Sequence, residues 1–253
     1  ILHEPDRGIT YQIGNNEALA KQLVQTVICD FRAQDVLLGG QGAPLVPIGD
    51  LLLFPDYNAC LNLGGFANGS MSKNGDVIAY DICAVNTVMN LLAEKKGMPF
   101  DKGGELAKNG TLIPELFSDL GALKFYKIDS PKSLGIEWVN SIISPLLAKF
   151  NDHKVENILH TYARHISFEI SRNFPKNQHV LVTGGGAKNL FLMSLLKTDC
   201  LATLFLPQEK LIDFKEALIF GFLGVLRIRN EVNCLASVTG ASKDHSSGNI
   251  FYS

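Results

Sequence analysis

Asp81 closes the apolar run Val77-Ile78-Ala79-Tyr80, and helix-like spacing begins five residues later in the stretch from Asn86 to Gly97. A carboxylate on a rigid strand end that faces a cleft can take a proton from a nucleophile as general base. The same residue type can also cap the following helix or bond to turn amides. Two glycine-rich stretches raise a complementary chemistry. In Asn62-Leu63-Gly64-Gly65-Phe66-Ala67-Asn68-Gly69-Ser70, Gly64 and Gly65 allow close backbone approach, and Asn68 and Ser70 can donate to an anion. In Thr183-Gly184-Gly185-Gly186-Ala187-Lys188-Asn189, glycines lie between a strand pattern and a helix pattern, where backbone N–H groups can meet a phosphate or a sugar. Each stretch also has a plainer reading, a bulged hairpin turn for the first and a tight strand-to-helix turn for the second. The second is not the dinucleotide fingerprint, because the last glycine of G-x-G-x-x-G falls at Asn189, and the chain contains no G-x-x-x-x-G-K-[ST]. A nucleotide needs grips at both ends, so two such turns in one chain strengthen each other.

These residues need elements to hold them. Gly8 to Gly14 alternates like a short strand, and the stretch after it has helix character, with Asn15 or Asn16 available as N-cap and Glu17 in the first turn. Thr26 to Phe31 reads as a strand, and the segment from Gly39 to Phe54 as a glycine-rich turn entering an apolar stretch. The turn residues Pro55-Asp56-Tyr57-Asn58 mark a domain boundary. From Cys60 to Asp81 the pattern gives three antiparallel strands, with Asn74-Gly75 as a hairpin signal. A helix follows, then a loop-rich region over 98–135, then two helical stretches, the first kinked by Pro145. His179 to Gly186 is a strand entering a glycine turn, with a helix behind it, and Leu201 to Leu206 is another strand. A long apolar helix over 213–229 precedes a tail, Ser242 to Asn249, expected to be polar and mobile. Asp213-Phe214-Lys215-Glu216 fits a capping box at the head of that helix. His160, Arg164 and His165 read as a solvated helix face, and the cysteines and Trp138 as core packing. A hairpin meander followed by helix–strand alternation is a mixed α/β layout.

Composition excludes several classes. The 253 residues are 46% hydrophobic and 19% charged with a formal net charge of -2, which describes a globular chain without the basic face that nucleic acid requires. Five separated cysteines without a C-x-x-C pair fit reduced thiols in a cytoplasm better than a disulfide framework, and they argue against zinc. The apolar run Ala217 to Leu226 is about half the length that spans a bilayer, so no membrane partner is expected.

The segments "HEPDRGITYQIGN", "DFRAQDVLLGGQGAPLVP", "LNLGGFAN", "GGGAKN" and "SVTGA", in this order and spacing, resemble the 1,6-anhydro-N-acetylmuramic acid kinases along nearly the whole chain. That family belongs to the sugar kinase, hsp70 and actin superfamily, whose two ribonuclease-H-like lobes close on ATP. The resemblance implies an α/β fold of that type, with residues 1–57 a remnant of the first lobe and 58–253 a complete second lobe, and with the helix near 213–229 packing toward the first. It implies that Asp81 draws a proton from water attacking the anomeric carbon while the anhydro-bridge oxygen takes the γ-phosphoryl of ATP. The product would be N-acetylmuramic acid 6-phosphate, an intermediate of peptidoglycan and amino-sugar recycling. Gly64, Gly65 and Asn68 would form the second phosphate turn, and Gly184, Gly185, Gly186 and Asn189 the nucleotide-side turn. Arg32, Gln41 and Gly42 would border the sugar, with Asn86 and Glu216 as further sugar contacts. ATP with Mg²⁺ is the implied cofactor pair.

Three departures from the family pattern stand out. Cys83-Ala84-Val85-Asn86 replaces Gly-Pro-Gly-Asn after the aspartate, which removes two residues free to take positive φ. In "PKSLGIEW" Lys132, Ser133, Gly135 and Glu137 match, while Leu134 and Ile136 replace a polar and a basic residue. The family's first phosphate loop, rich in Gly, Ser and Thr and followed by an Asp, lies upstream of these residues, so the chain is expected to be a fragment. A first lobe of about 57 residues would expose strand edges and favour association, as in a homodimer. The alternative to a kinase is a catalytically impaired sugar- or nucleotide-binding protein of the same fold.

Overall fold

The computed structural model describes residues 2–14, 17–73, 75–129 and 132–253. Asn15 and Asn16, expected to cap a helix, and Asn74, half of the expected Asn-Gly turn, lie outside them.

In chain order, β1 (Leu2–Glu4) and β2 (Ile9–Tyr11) precede α1 (Glu17–Leu23), β3 (Val27–Cys29), α2 (Ala33–Leu37) and α3 (Pro47–Leu53). Pro47 opens α3, where its missing N–H costs nothing. The strands β4 (Ala59–Leu63), β5 (Phe66–Lys73) and β6 (Asp76–Ala84) then lead into α4 (Asn86–Glu94). The loop-rich region contains α5 (Glu105–Lys108) and α6 (Pro114–Gly121). Next come α7 (Ile136–Trp138), a π-helical turn over Val139–Ile143, and α8 (Ser144–Ala148). Pro145 cannot donate in the helical ladder, and the chain takes up the defect as the wider turn just before it. The sequence continues through α9 (Val155–Ser171), β7 (His179–Thr183), α10 (Leu190–Asp199), β8 (Thr203–Phe205), α11 (Glu209–Ile228), α12 (Ala236–Thr239) and β9 (Asn249–Phe251). Among the described residues, no helix is long and apolar enough to cross a membrane.

The chain divides into two compact units. One consists of the chain through Pro55 with Met71–Ala79 and Phe214–Ser253; the other of Asp56–Ser70 and Tyr80–Asp213. In the first, β1 and β2 pair antiparallel, with Leu2 opposite Tyr11, and β3 pairs antiparallel with β9, with Val27 opposite Phe251. Its core gathers Phe31, Leu45, Ile48, Ile219, Leu223, Leu226 and Cys234. Lys215 and Asp50 form a buried ion pair at 2.7 Å within it. The capping-box reading of Asp213 to Glu216 is therefore corrected. Helix α11 starts four residues earlier, at Glu209, and Lys215 turns inward to Asp50.

The expected mobile tail is likewise corrected. Ser247 is 1% exposed, its Oγ donates to Phe31 O, and its N–H donates to Asn233 Oδ1. Asn233 in turn donates to Leu223 O and Ser247 O. Polar side chains fold inward here because each finds a partner, which offsets the cost of burying it.

The other unit is built on a mixed sheet in the order β6-β5-β4-β7-β8. The three consecutive strands of the meander lie side by side. β4 and β7 are parallel, with Ala59 opposite Val180 and Asn62 opposite Thr183, and β8 continues parallel to β7. The strands β4 and β7 are nearly all buried, as their apolar runs require. This is the strand order of a ribonuclease-H-like sheet. Helix α9 buries Ile158, Leu159, Tyr162, Ile166 and Ile170. The solvated face expected there is corrected for His165, which is fully buried among the rings of Phe117, Tyr126 and Tyr162. It finds no hydrogen-bond partner among the described residues, and burial pushes its imidazole down to about 3, so it stays neutral. His160 is half-buried and bonds Ala107 O, and Arg164 reaches Asp199 at 3.8 Å.

Candidate active site

Parallel β4 and β7 end side by side, so the turns that follow them meet at one end of the sheet, the usual location of ligand sites in α/β sheets. The turn Gly64-Gly65 links β4 to β5 and holds the start of α4. Val85 N and Thr87 N donate to Gly65 O at 2.8 and 3.2 Å, and Asn86 N donates to Gly64 O at 3.3 Å. The Asn86 side chain adds a bond from Nδ2 to Leu63 O at 3.2 Å.

Against this turn packs the glycine run after β7. Gly184 has φ +83°, and a Cβ there would stand 2.5 Å from Asn62 Oδ1 and 2.8 Å from the Leu63 carbonyl, so only glycine fits. A Cβ at Gly186 would meet Leu63 Cβ at 2.9 Å. Gly185 differs. It is exposed, and the nearest atom to an added Cβ is Asn86 Nδ2 at 3.9 Å, so a side chain would occupy open space that a ligand can use. The structure thus brings Gly64, Gly65, Asn86, Gly184, Gly185 and Gly186 together. Asn189 stands at the end of the run as the N-cap of α10, its Oδ1 accepting from Leu192 N at 3.0 Å. Asn68 lies along β5, three residues beyond Gly65. Lys188, within the same run, is engaged by Asp213 at 2.6 Å and Glu209 at 3.1 Å.

Asp81 stands on β6, three residues before the strand ends. Its carboxylate is half-buried, and Oδ2 accepts from Leu134 N at 2.7 Å, while its own N–H donates to Lys132 O at 2.9 Å. Burial raises its pKa above the usual aspartate value, and the Leu134 amide opposes part of that rise. Among the described residues Oδ1 has no donor, so it keeps its lone pairs for a proton. The strap that supplies Leu134 is pinned by Lys132, whose Nζ donates to Phe125 O and Ile128 O, both at 3.1 Å. The leucine in place of a polar residue at 134 leaves the aspartate's bond intact, because the backbone provides it.

The altered turn is also benign in conformation. Cys83, Ala84 and Val85 are fully buried, and Val85 has φ -121°, so no left-handed residue is needed there. Tyr162 Oη donates to Ala84 O at 3.0 Å and fixes the bend from beneath.

The remaining predicted residues belong to the other unit. Arg32 is half-buried, and its guanidinium donates to Gly42 O at 2.6 Å. Gly42, at φ +67°, donates its N–H to Asp35 Oδ2 at 2.7 Å. Gln41 is exposed, and its backbone donates to Thr239 O at 2.9 Å. Glu216 is exposed on α11. Sequence reasoning missed Asp35, which organises this loop from full burial. Its position inside "DFRAQDVLLGGQGAPLVP" was the available signal.

The family model described as anhydro-N-acetylmuramic acid kinase matches residues 1–253. Among curated relatives, the anhydro-N-acetylmuramic acid kinase of Pasteurella multocida (strain Pm70) is 33% identical over 99% of this chain and 71% of its own length. That of a Bacillus cereus strain is 30% identical over 100% of this chain and 73% of its own. That of Vibrio cholerae serotype O1 is 33% identical over 100% and 72%. Among solved structures, the (R)-2-hydroxyglutaryl-CoA dehydratase component A of Acidaminococcus fermentans gives a TM-score of 0.42 at 17% identity over 69% of this chain and 63% of that one. That likeness is too slight to carry an argument. The match of the whole chain to one family model, and to relatives at this identity, means that the chain belongs to the anhydro-N-acetylmuramic acid kinase family.

Proposed function

We propose that this chain contributes the reacting carboxylate and a nucleotide grip to an ATP-dependent kinase that opens 1,6-anhydro-N-acetylmuramic acid and delivers a phosphoryl group to it. Asp81 acts as general base. Its Oδ1 takes a proton from water attacking the anomeric carbon, as the bridge oxygen leaves that carbon and takes the γ-phosphoryl. N-acetylmuramic acid 6-phosphate results. The observation that carries this reading is the environment of Asp81, a rigid strand position with one oxygen held by Leu134 N and the other without a donor among the described residues. Burial brings its affinity for a proton closer to that useful in a base.

The exposed backbone of Gly65 and Gly185, with Gly64, Gly184 and Gly186 shaping it, suits the phosphates of ATP, and Asn68 and Asn189 border that region in our reading. Mg²⁺ would rest mainly on phosphate oxygens and water and neutralise charge on the transferring group. Arg32, Gln41, Gly42, Asn86 and Glu216 are proposed as sugar contacts. The unit centred on Asp35 is read as part of a first lobe and the ribonuclease-H-like sheet as the second. The same reading places the enzyme in the cytoplasm, working as a homodimer on an amino sugar and ATP.

Asp81→Asn in the intact protein is expected to lower turnover by roughly 10²–10⁴ with ATP affinity nearly unchanged. Normal turnover in that variant would remove Asp81 from the role. A sugar- or nucleotide-binding protein without turnover is the rival, motivated by the buried Cys83-Ala84-Val85 bend. Wild-type protein that binds anhydro sugar and ATP by calorimetry yet releases no ADP would decide for the rival.

A further inference from the structure

Around Asp35, side chains far apart in sequence bring three kinds of ligand atom to one point. Asp35 Oδ1, Cys234 Sγ and His245 Nε2 all lie within 4.8 Å of one another, and all three residues are buried. Cys234 Sγ is 3.1 Å from Asp35 Oδ1, and His245 Nε2 is 3.6 Å from the same oxygen. Ligands on a tetrahedral zinc, at bond lengths of about 2.0 Å for nitrogen or oxygen and about 2.3 Å for sulfur, stand about 3.3–3.5 Å apart. The observed separations bracket that range.

The backbone prepares this arrangement. Cys234 and His245 form an antiparallel bridge, with Cys234 N donating to His245 O and His245 N to Cys234 O, each at 3.1 Å. Directly opposed residues of such a bridge project their side chains to the same face. Gly42 N occupies Asp35 Oδ2, and the cluster converges on Oδ1, which accepts from Cys234 Sγ at 3.1 Å and Thr239 Oγ1 at 2.7 Å. His245 Nδ1 lies 3.1 Å from Lys243 O, which can only accept, so Nδ1–H donates and Nε2 is the nitrogen turned toward Asp35, the orientation found in metal-binding histidines. Nε2 makes no hydrogen bond among the described residues, although its side chain is 3% exposed. Nε2 therefore faces Asp35 Oδ1 at 3.6 Å without a hydrogen bond, a position that a cation can occupy.

We propose that Asp35, Cys234 and His245 form a site for a thiophilic divalent cation, zinc by its donor set. Sulfur, imidazole and carboxylate together favour zinc over magnesium or calcium, which take oxygen. When sulfur takes the metal, the Cys234 thiol gives its proton to solvent. Thiolate and carboxylate then carry two negative charges that the dication neutralises, so the buried site is uncharged overall. Thr239 Oγ1, 2.7 Å from Asp35 Oδ1, is the nearest candidate for a fourth ligand. The chain has no C-x-x-C pair, the pattern by which zinc is expected from sequence; this site uses one cysteine from a set assembled by the fold. Bound metal would brace the loop that Asp35 holds through Gly42, independently of the kinase reading.

The test is titration of the intact, chelator-treated protein with Co²⁺ and then Zn²⁺. One equivalent of cobalt should give a thiolate-to-cobalt charge-transfer band that zinc abolishes. The band should be lost in Cys234→Ala and in His245→Ala and kept in Cys29→Ala. Absence of the band in folded wild-type protein, or its persistence in folded Cys234→Ala, overturns the proposal. If the cysteine variant does not fold, X-ray absorption on zinc-loaded wild type decides. One sulfur at about 2.3 Å beside nitrogen and oxygen supports the site, and a shell without sulfur overturns it.

Discussion

Asp81 and Asp35 are both inward-facing aspartates beside glycine-rich chain, and they are dressed in opposite ways. Asp81 has a single donor among the described residues, Leu134 N, and an open second oxygen. Asp35 is fully buried, with Gly42 N on one oxygen and both Thr239 Oγ1 and Cys234 Sγ on the other. Donors fixed on both oxygens make a carboxylate into scaffold. Leaving one oxygen bare on a rigid strand makes it available for chemistry. The difference lies in the number of partners and not in depth alone.

The contrast can be broken first at Asp35. Asp35→Ala strands a hydroxyl, a thiol and an amide in the interior and should cost about 3–5 kcal/mol of stability, read as a fall in the urea midpoint. An equal loss from Asp81→Ala would erase the distinction. Next in size, Gly184→Ala combines a left-handed φ with collisions at Asn62 and Leu63, and should cost about 2–4 kcal/mol by thermal unfolding. An unperturbed melting temperature would show that the two turns are not wedged together as described.

The pH dependence of turnover sharpens the Asp81 side. The deprotonated carboxylate is the active form, so the rate falls as pH drops through its pKa. Burial raises that pKa, so the acid limb should lie above the ordinary aspartate value of 3.8 and disappear in Asp81→Asn. A limb unchanged in the variant would belong to another group. Smallest is Asn189→Ala, expected to cost about 0.5–2 kcal/mol as a lost helix cap. A stability effect without a change in ATP affinity would assign Asn189 to scaffolding.

Sequence patterns revealed the parts governed by near neighbours. The meander from Ala59 to Ala84 follows from alternating strands and short turns, and Asp81 near a strand end follows from the change of period after it. Gly184 is legible as a turn glycine, although the reason for it, the Leu63 carbonyl, lies far back in the chain. The misreadings share one cause. His165 is polar by type, and only the rings of Phe117, Tyr126 and Tyr162 make its place apolar. Ser247 and His245 sit in a hydrophilic stretch that becomes interior because Phe31 and Asp35, near the other end of the sequence, supply partners. No local window contains such information, and propensity yields to tertiary contact.

The pairing of β3 with β9 bears on how the molecule is made. Val27 must wait for Phe251 before its strand edge is satisfied, so this pairing cannot form until synthesis has passed residue 251. The sheet from Ala59 to Phe205 is translated entirely within that interval, and local, early-completed modules can settle while the polymer is still emerging. The contacts of Asp35 with Cys234 and His245 likewise wait for residues made after the last strand of that sheet.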